Sequence, residues 1–256
     1  GPDAGAVKCY GNAVLGHRRL RVIDLAAEAD QPMCEPNTGI SIVFNGEIYN
    51  FRDIRSELQQ LGIKFKTDSD TEVLLKAFIE WDIDCLPRLV GMFAFAIWDP
   101  RENRLILARD RLGKKPLYYF KGGQIIKFAS ELTALRCGDV RPVSLDRGAL
   151  SHFLSFNYCP TQSTIVEGAS RVPPASFIDF RIGKEPRVEQ YWNLAEKFKL
   201  KKVEISERQA VEKLGALIDQ SVRDRLFSDV PLGVFLSAGI DSATIAESMH
   251  RQSGIR

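Results

Sequence analysis

The sequence predicts an α+β first domain, a β-rich core with helices packed on its faces, followed by the beginning of an α/β domain with a parallel sheet. Three observations carry this. Met92 to Trp98 is apolar on both strand faces, which suits a sheet covered on both sides. Two helical stripes accompany the strand-like runs of the first half. Towards the end of the chain a helix, a short apolar strand, a small-residue turn and another helix start follow in order, as in a parallel α/β unit.

Each element has its own signal. Ile40 to Phe44 is a β-branched, apolar run, a buried strand. Asn50 is placed to cap a helix with Asp53 as its capping-box partner. Ile54, Leu58 and Leu61 form that helix's stripe, and Gly62 ends it. Thr71 to Trp81 reads as a second helix, with Val73, Leu74, Ala77, Phe78 and Trp81 inward. Asp99-Pro100 to Asn103 is a turn, and Leu105 to Ala108 the return strand. Gln124 to Ala129 is a further strand after Gly122-Gly123. Leu150 to Pro174 has aromatics and prolines but no clear period. Gly183 to Lys202 is charged, with Lys197, Lys199, Lys201 and Lys202 close together, and reads as a solvated linker. Ser206 caps the next helix with Gln209. Ala210, Val211, Leu214, Leu217, Ile218 and Leu226 mark its buried side. Pro231 to Leu236 is the short apolar strand. The domains expected are therefore 1–182, a linker 183–203, and 204–256.

Composition excludes several classes. The 256 residues are 45% hydrophobic and 27% charged, an ordinary globular balance. The net charge of +2, from 35 basic and 33 acidic residues, points to neither nucleic acid nor an anionic membrane. No apolar run reaches the ~18 residues of a membrane span, and Gly1-Pro2-Asp3 opens no signal peptide. Cys9, Cys34, Cys85, Cys137 and Cys159 are odd in number and far apart. That argues against a disulfide framework or zinc site and makes a reducing cytoplasm the default. Cys9 reads as a small buried hydrophobe. His17, His152 and His250 are scattered, so no histidine cluster suggests a metal.

Four places could carry chemistry. Leu236-Ser237-Ala238-Gly239-Ile240-Asp241-Ser242 lies between an apolar strand and a helix start. Small residues let a ligand approach the backbone, and helix-start N–H groups form an anion site suited to phosphate. Asp241 would repel a bare phosphate and makes more sense beside Mg²⁺. There is no lysine for a Walker loop, and a plain βα turn with an Asp or Ser cap remains open. Asn45-Gly46-Glu47 is either a turn signal or an oxyanion site, in which the Asn amide and the next N–H point at one oxygen while Glu47 neutralises an ammonium. Asp70 stands where a helix begins and could cap it. Arg19 could bind a carboxylate by a bidentate fork, whereas Arg18 and Arg21 read as surface charge.

The order of these pieces says more than any one. G-P-D, H-R-R-L, N-G-E-I-Y-N, S-D-T-E, G-M-F-A-F-A-I-W-D, A-R-D-R-L-G-x-K-P-L-Y-Y and F-A-S-E together resemble class II glutamine amidotransferases of the asparagine synthetase family. The resemblance runs from Gly1 to about Glu131, is loose to about Lys202, and resumes in S-A-G-I-D-S, which is similar to the S-G-G-x-D-S pyrophosphate loop of ATP pyrophosphatases. Ala238 stands where that loop usually has glycine. Its β-carbon would crowd the phosphates or demand another backbone angle.

The resemblance implies an N-terminal-nucleophile αββα sandwich followed by the start of an ATP-pyrophosphatase domain. It implies that Arg19 holds the glutamine carboxylate, that backbone from Leu20, Arg21, Val22 and Ile23 lines the pocket, and that Glu47 and Asp70 hold the ammonium. Asn45 and Gly46 would form the oxyanion hole. Leu236, Ser237, Ala238, Gly239, Ile240, Asp241 and Ser242 would surround ATP, with Asp241 beside Mg²⁺. Ammonia would pass to an aspartyl-adenylate, giving asparagine, AMP and pyrophosphate. Glutamine, aspartate and ATP are the implied partners, and a homodimer is left open. The family's nucleophile is an amino-terminal cysteine. This chain begins past that position and ends just past the loop, so by itself it is expected to be inactive. Amidation of another carboxylate and non-catalytic binding of glutamine or nucleotide are the competing readings.

Overall fold

The computed structural model describes residues 1–123, 125–136, 144–160, 162–199 and 204–253. Gln124, Cys137, Lys201 and Lys202, named above, lie outside the described residues. The chain opens with an antiparallel hairpin of β1 (Ala4–Tyr10) and β2 (Ala13–Arg19). The strands β3 (Met33–Cys34) and β4 (Ser41–Ile48) lead to helices α1 (Phe51–Gln60) and α2 (Asp70–Trp81). Then come β5 (Gly91–Asp99), β6 (Arg104–Arg109), β7 (Tyr118–Gly122), β8 (Ile125–Ala129) and the short α3 (Leu132–Leu135). They are followed by α4 (Arg147–Phe156), β9 (Ala169–Arg171), β10 (Ser176–Arg181), β11 (Arg187–Gln190) and α5 (Leu194–Phe198). Last come α6 (Glu207–Arg223) and α7 (Ile240–Ser253).

The main sheet is antiparallel, in the order β11-β10-β6-β5-β4-β3, and a second sheet runs β8-β7-β9. The double-sided strand explains the layers. Side chains alternate across a strand. Phe93, Phe95 and Ile97 of β5 therefore pack with Leu58, Leu74 and Phe78 of the helices. Ala94, Ala96 and Trp98 face the other way, with Leu15, Leu117 and Val172. Since α3 packs against β7 and β8, the layers run helix, sheet, sheet, helix.

Several local expectations change. Asn50 precedes α1 but does not cap it with its side chain, which instead accepts from Val90 N–H and donates to Arg88 O. Gly62 does end the helix, at φ +85. The cap of α2 is Ser69, whose hydroxyl accepts from Glu72 N–H, so Asp70 is freed for other work. Glu72 folds back onto the N–H groups of Lys66 and Thr67. The Asn45-Gly46 pair is not a turn but lies inside β4, opposite Ala94 and Phe93. Part of the unpatterned stretch forms α4. The stretch read as a linker supplies β11, an edge strand of the main sheet, because Arg187 to Gln190 finds an open partner in β10. Cys9 is exposed on the hairpin, because only one face of β1 is covered.

The second segment departs furthest. Ser206 and Gln209 form the expected capping box. Yet Val211, Leu214 and Leu217 are 64%, 58% and 67% exposed, and Val222 is the only buried residue of α6. The apolar stripe expected to be buried is therefore largely open, and the main element packed against the helix among the described residues is α7. Pro231 to Leu236 runs without strand pairing, and no parallel pair forms among the described residues. A strand needs a neighbour to satisfy its N–H and C=O groups, and none lies beside this one.

Candidate active site

The candidate site is a cavity of about 310 Å³ at the Gly46 end of the main sheet. Arg19, Leu20, Val22, Ile23, Asn45, Gly46, Glu47 and Asp70 all line it. These residues come from β2, the loop after it, β4 and α2, so the fold gathers them from across the first 70 positions. Arg21 is not brought in. Its guanidinium turns to Asp30, at 2.6 and 3.1 Å, the carboxylate that Arg19 also reaches.

The strand register aims one backbone donor into the cavity. Gly46 sits opposite Phe93, whose N–H donates to Asp110 and whose C=O accepts from Asp110 N–H. In an antiparallel ladder the direction of these groups alternates. Gly46 N–H therefore points to the other edge of β4, where β3 has already ended. Along that edge Phe44 N–H donates to the Gln31 side chain at 2.6 Å and Ile48 N–H to Asp70 at 3.0 Å. The Gly46 N–H stands between them. Only glycine fits there, because a Cβ would lie 2.1 Å from Met92 O. The Asn45 amide donates to Ser130 Oγ at 3.3 Å, which fixes its direction and leaves its second N–H. This is the work of the F-A-S-E motif.

Two carboxyls form the acidic wall. Burial, and then the Asp70 charge, pushes the Glu47 carboxyl up to about 7. Asp70 is 5% exposed, and burial pushes it up to about 6 against the hydrogen bond from Ile48 N–H. Two desolvated carboxyls side by side hold their charge poorly until a cation arrives.

Arg19 corrects an expectation. Its four terminal N–H groups are already engaged: Nη1 with Ala26 O and Asp30, and Nη2 with Ile23 O and Asp24 O. A bidentate fork is not free. A buried guanidinium must satisfy its donors, and the folded 23–30 loop supplies the acceptors. The cationic side of the cavity is shared with Arg18 and Lys115.

Lys115, His17, Gln31, Thr71 and Met92 were missed. Lys115 is delivered by the A-R-D-R-L-G-x-K-P segment. Asp110 in that segment accepts from Leu112, Lys114 and Lys115 N–H, while Arg109 donates to Gly113 O and Lys115 O. The Asp-centred loop in that motif is the readable signal for it. His17 Nε2 contacts Phe44 O at 3.0 Å, and burial lowers its pKa, so the ring is neutral at pH 7.

The second site is simpler. Leu236 to Asp241 is exposed and Ser242 half-buried, and the Ser237 and Ser242 hydroxyls are 2.8 Å apart. Ala238 is not among the residues with positive φ, so the β-carbon demands no special backbone angle. Asp241 lies in the first turn of α7. Among the described residues no cluster of three metal-ligating side chains forms. No helix of the described residues is long and apolar enough to cross a membrane.

Comparison with known proteins decides the family. The glutamine amidotransferase domain model matches residues 1–192, three quarters of the chain. The chain belongs to the glutamine amidotransferase domain family. The rest of this glutamine amidotransferase chain is similar to the asparagine synthase family, over residues 213–256. It is 38% identical over 96% of its length to glutamine-hydrolyzing asparagine synthetase 3 of Bacillus subtilis, and 36% identical over 98% to asparagine synthetase 1 of the same organism. It spans 39% of each of those relatives. In fold it resembles glutamine phosphoribosylpyrophosphate amidotransferase from B. subtilis. The TM-score is 0.50 at 20% identity, covering 94% of this chain and 50% of that one. The N-terminal-nucleophile sandwich expected from the sequence is thus the fold found.

Proposed function

We propose that this chain is the glutamine-binding part of an enzyme that makes asparagine, drawing ammonia from glutamine and activating aspartate with ATP. The observation that carries the reading is one cavity with an acidic wall beside an oxyanion donor pair. Glu47 and Asp70 take the glutamine ammonium, which favours their ionised forms. The cationic side, with Arg19, Arg18 and Lys115, faces the α-carboxylate. The side-chain carbonyl then lies towards Asn45 and Gly46. Their N–H groups stabilise the negative charge that develops on its oxygen when a nucleophile attacks.

The similarity of residues 213–256 to asparagine synthase supports ATP use. The 237–242 loop and the start of α7 would receive the pyrophosphate end of ATP. Asp241 would hold Mg²⁺, which takes one or two carboxylates beside substrate phosphates, so a single Asp fits it. The metal would neutralise phosphate charge. The adenylate that ATP forms makes a carboxylate open to attack, and ammonia then gives the amide. The test is asparagine formation by the full-length protein from glutamine, aspartate and ATP, with AMP and pyrophosphate as products. Turnover of glutamine with a different acceptor carboxylate, and none with aspartate, would replace aspartate in this reading.

A further inference from the structure

The cavity is lined by the first segment, yet three residues that follow α6 pack beside it, and one of them bonds to the lining residue Val22. Phe227 packs on Phe51, ring centroids 5.3 Å apart, with the Arg52 guanidinium 3.7 Å from its own ring centre. Arg225 lies over Tyr49, 4.3 Å from the ring centre. Its charge acts on Glu47 and favours the ionised carboxylate. Asp229 makes two bonds to the wall itself. Its N–H donates to Val22 O at 2.9 Å, and its carboxylate accepts from Asp24 N–H at 2.7 Å.

Asp24 is the hub of this contact. It holds φ +58, a left-handed conformation that L-residues adopt rarely and Asp mainly where its side chain bonds locally. Such a residue persists where its surroundings over-determine it, and here all its polar groups are used. Its C=O accepts from Arg19 at 2.7 Å. One carboxylate oxygen takes Ala26 N–H at 3.0 Å, and the other takes Asp68 N–H at 2.7 Å, two residues ahead of Asp70. Its N–H goes to Asp229. Asp24 therefore ties the Arg19 wall and the Asp70 wall to a residue of the second segment.

We infer that Asp229 and Arg225 are positioning residues of the glutamine pocket. Asp229 fixes the 22–24 wall through Asp24, and Arg225 supplies a cation facing Glu47 from outside the first segment. This rests on the glutamine reading of the cavity. The charged groups acting on Glu47 are Asp70 from α2, Lys115 from the Asp110 loop, and Arg225.

The experiment is calorimetric titration of glutamine into the 256-residue chain between pH 6 and 8.5, with thermal midpoints measured in parallel. Asp229→Ala is expected to weaken binding about three- to tenfold, the scale of one lost hydrogen bond. Asp229→Asn keeps an acceptor and should stay within about twofold on the same ground. Arg225→Gln should move the binding pH profile upward, and Arg225→Lys should restore it. The inference is overturned if Asp229→Ala and Arg225→Gln bind glutamine with unchanged affinity and profile. It also fails if affinity is lost only together with the thermal midpoint, or if Asp229→Asn loses as much as alanine. A parent chain that binds no glutamine sinks the pocket reading itself, a result distinct from the variants' failure.

Discussion

The two segments of this chain carry equally clear apolar patterns and meet different fates. In β5 every side chain from Phe93 to Asp99 is buried, because helices cover one face and a second β layer the other. In α6 a stripe as regular as any in the first segment stays mostly exposed. A pattern states what an element could bury. Whether it does depends on a partner, and residues 204–253 offer only α7 and the short docking stretch at Arg225 to Asp229. The sites differ likewise. The amidotransferase cavity draws on stretches scattered from β2 to the Asp110 loop, whereas the loop at Ser237 is one continuous run.

The largest expected effect breaks or confirms the packing contrast. Phe95→Ala should lower stability by about 3–5 kcal/mol in chemical denaturation, the range for emptying a core aromatic site. Leu217→Gln should change it by about 0.5 kcal/mol or less, as an exposed substitution does. Similar losses for both would mean that α6 has a core of its own. Next, Gly46→Ala forces a Cβ to within 2.1 Å of Met92 O. Backbone must move, so a loss of about 2–4 kcal/mol in thermal unfolding is expected, with no measurable glutamine binding.

Glu47→Gln removes half of the acidic wall and should weaken glutamine binding about 100-fold by calorimetry, the scale of a lost charged partner. Its stability effect has the opposite sign. A carboxyl raised to about 7 binds more protons when folded, so it destabilises the fold increasingly as pH rises from its unfolded value towards 7. The variant should therefore gain about 1 kcal/mol at pH 8, after allowance for solvent screening of a half-buried group, and nothing at pH 4. The parent chain's glutamine affinity should rise between pH 5.5 and 8, as Asp70 and Glu47 ionise at about 6 and about 7. Flat affinity across that range would separate ammonium binding from the acidic wall. The smallest effect belongs to the loop. Ala238 demands no positive φ, so Ala238→Gly should change the ATP Kd of the full-length protein less than about threefold, under 1 kcal/mol.

Much of this was readable from the residues in order. The double-sided apolar strand fixed the layered core, the Ser206 capping box fixed the start of α6, and the motif series located eight of the cavity's lining residues. What was not readable depends on partners distant in sequence. Asn45-Gly46 signals a turn locally, and only pairing with Ala94 and Phe93 holds it extended and turns Gly46 N–H to the open edge. Arg19 reads as a free fork, and only the 23–30 loop fills its donors. Asp24 and Asp229 carry no motif, and nothing short of the folded chain brings position 229 against position 24. Sequence determines what each side chain can donate, accept or bury. Tertiary structure decides which of those capacities are spent inside the protein and which are left facing a ligand, because that depends on neighbours the local chain does not contain.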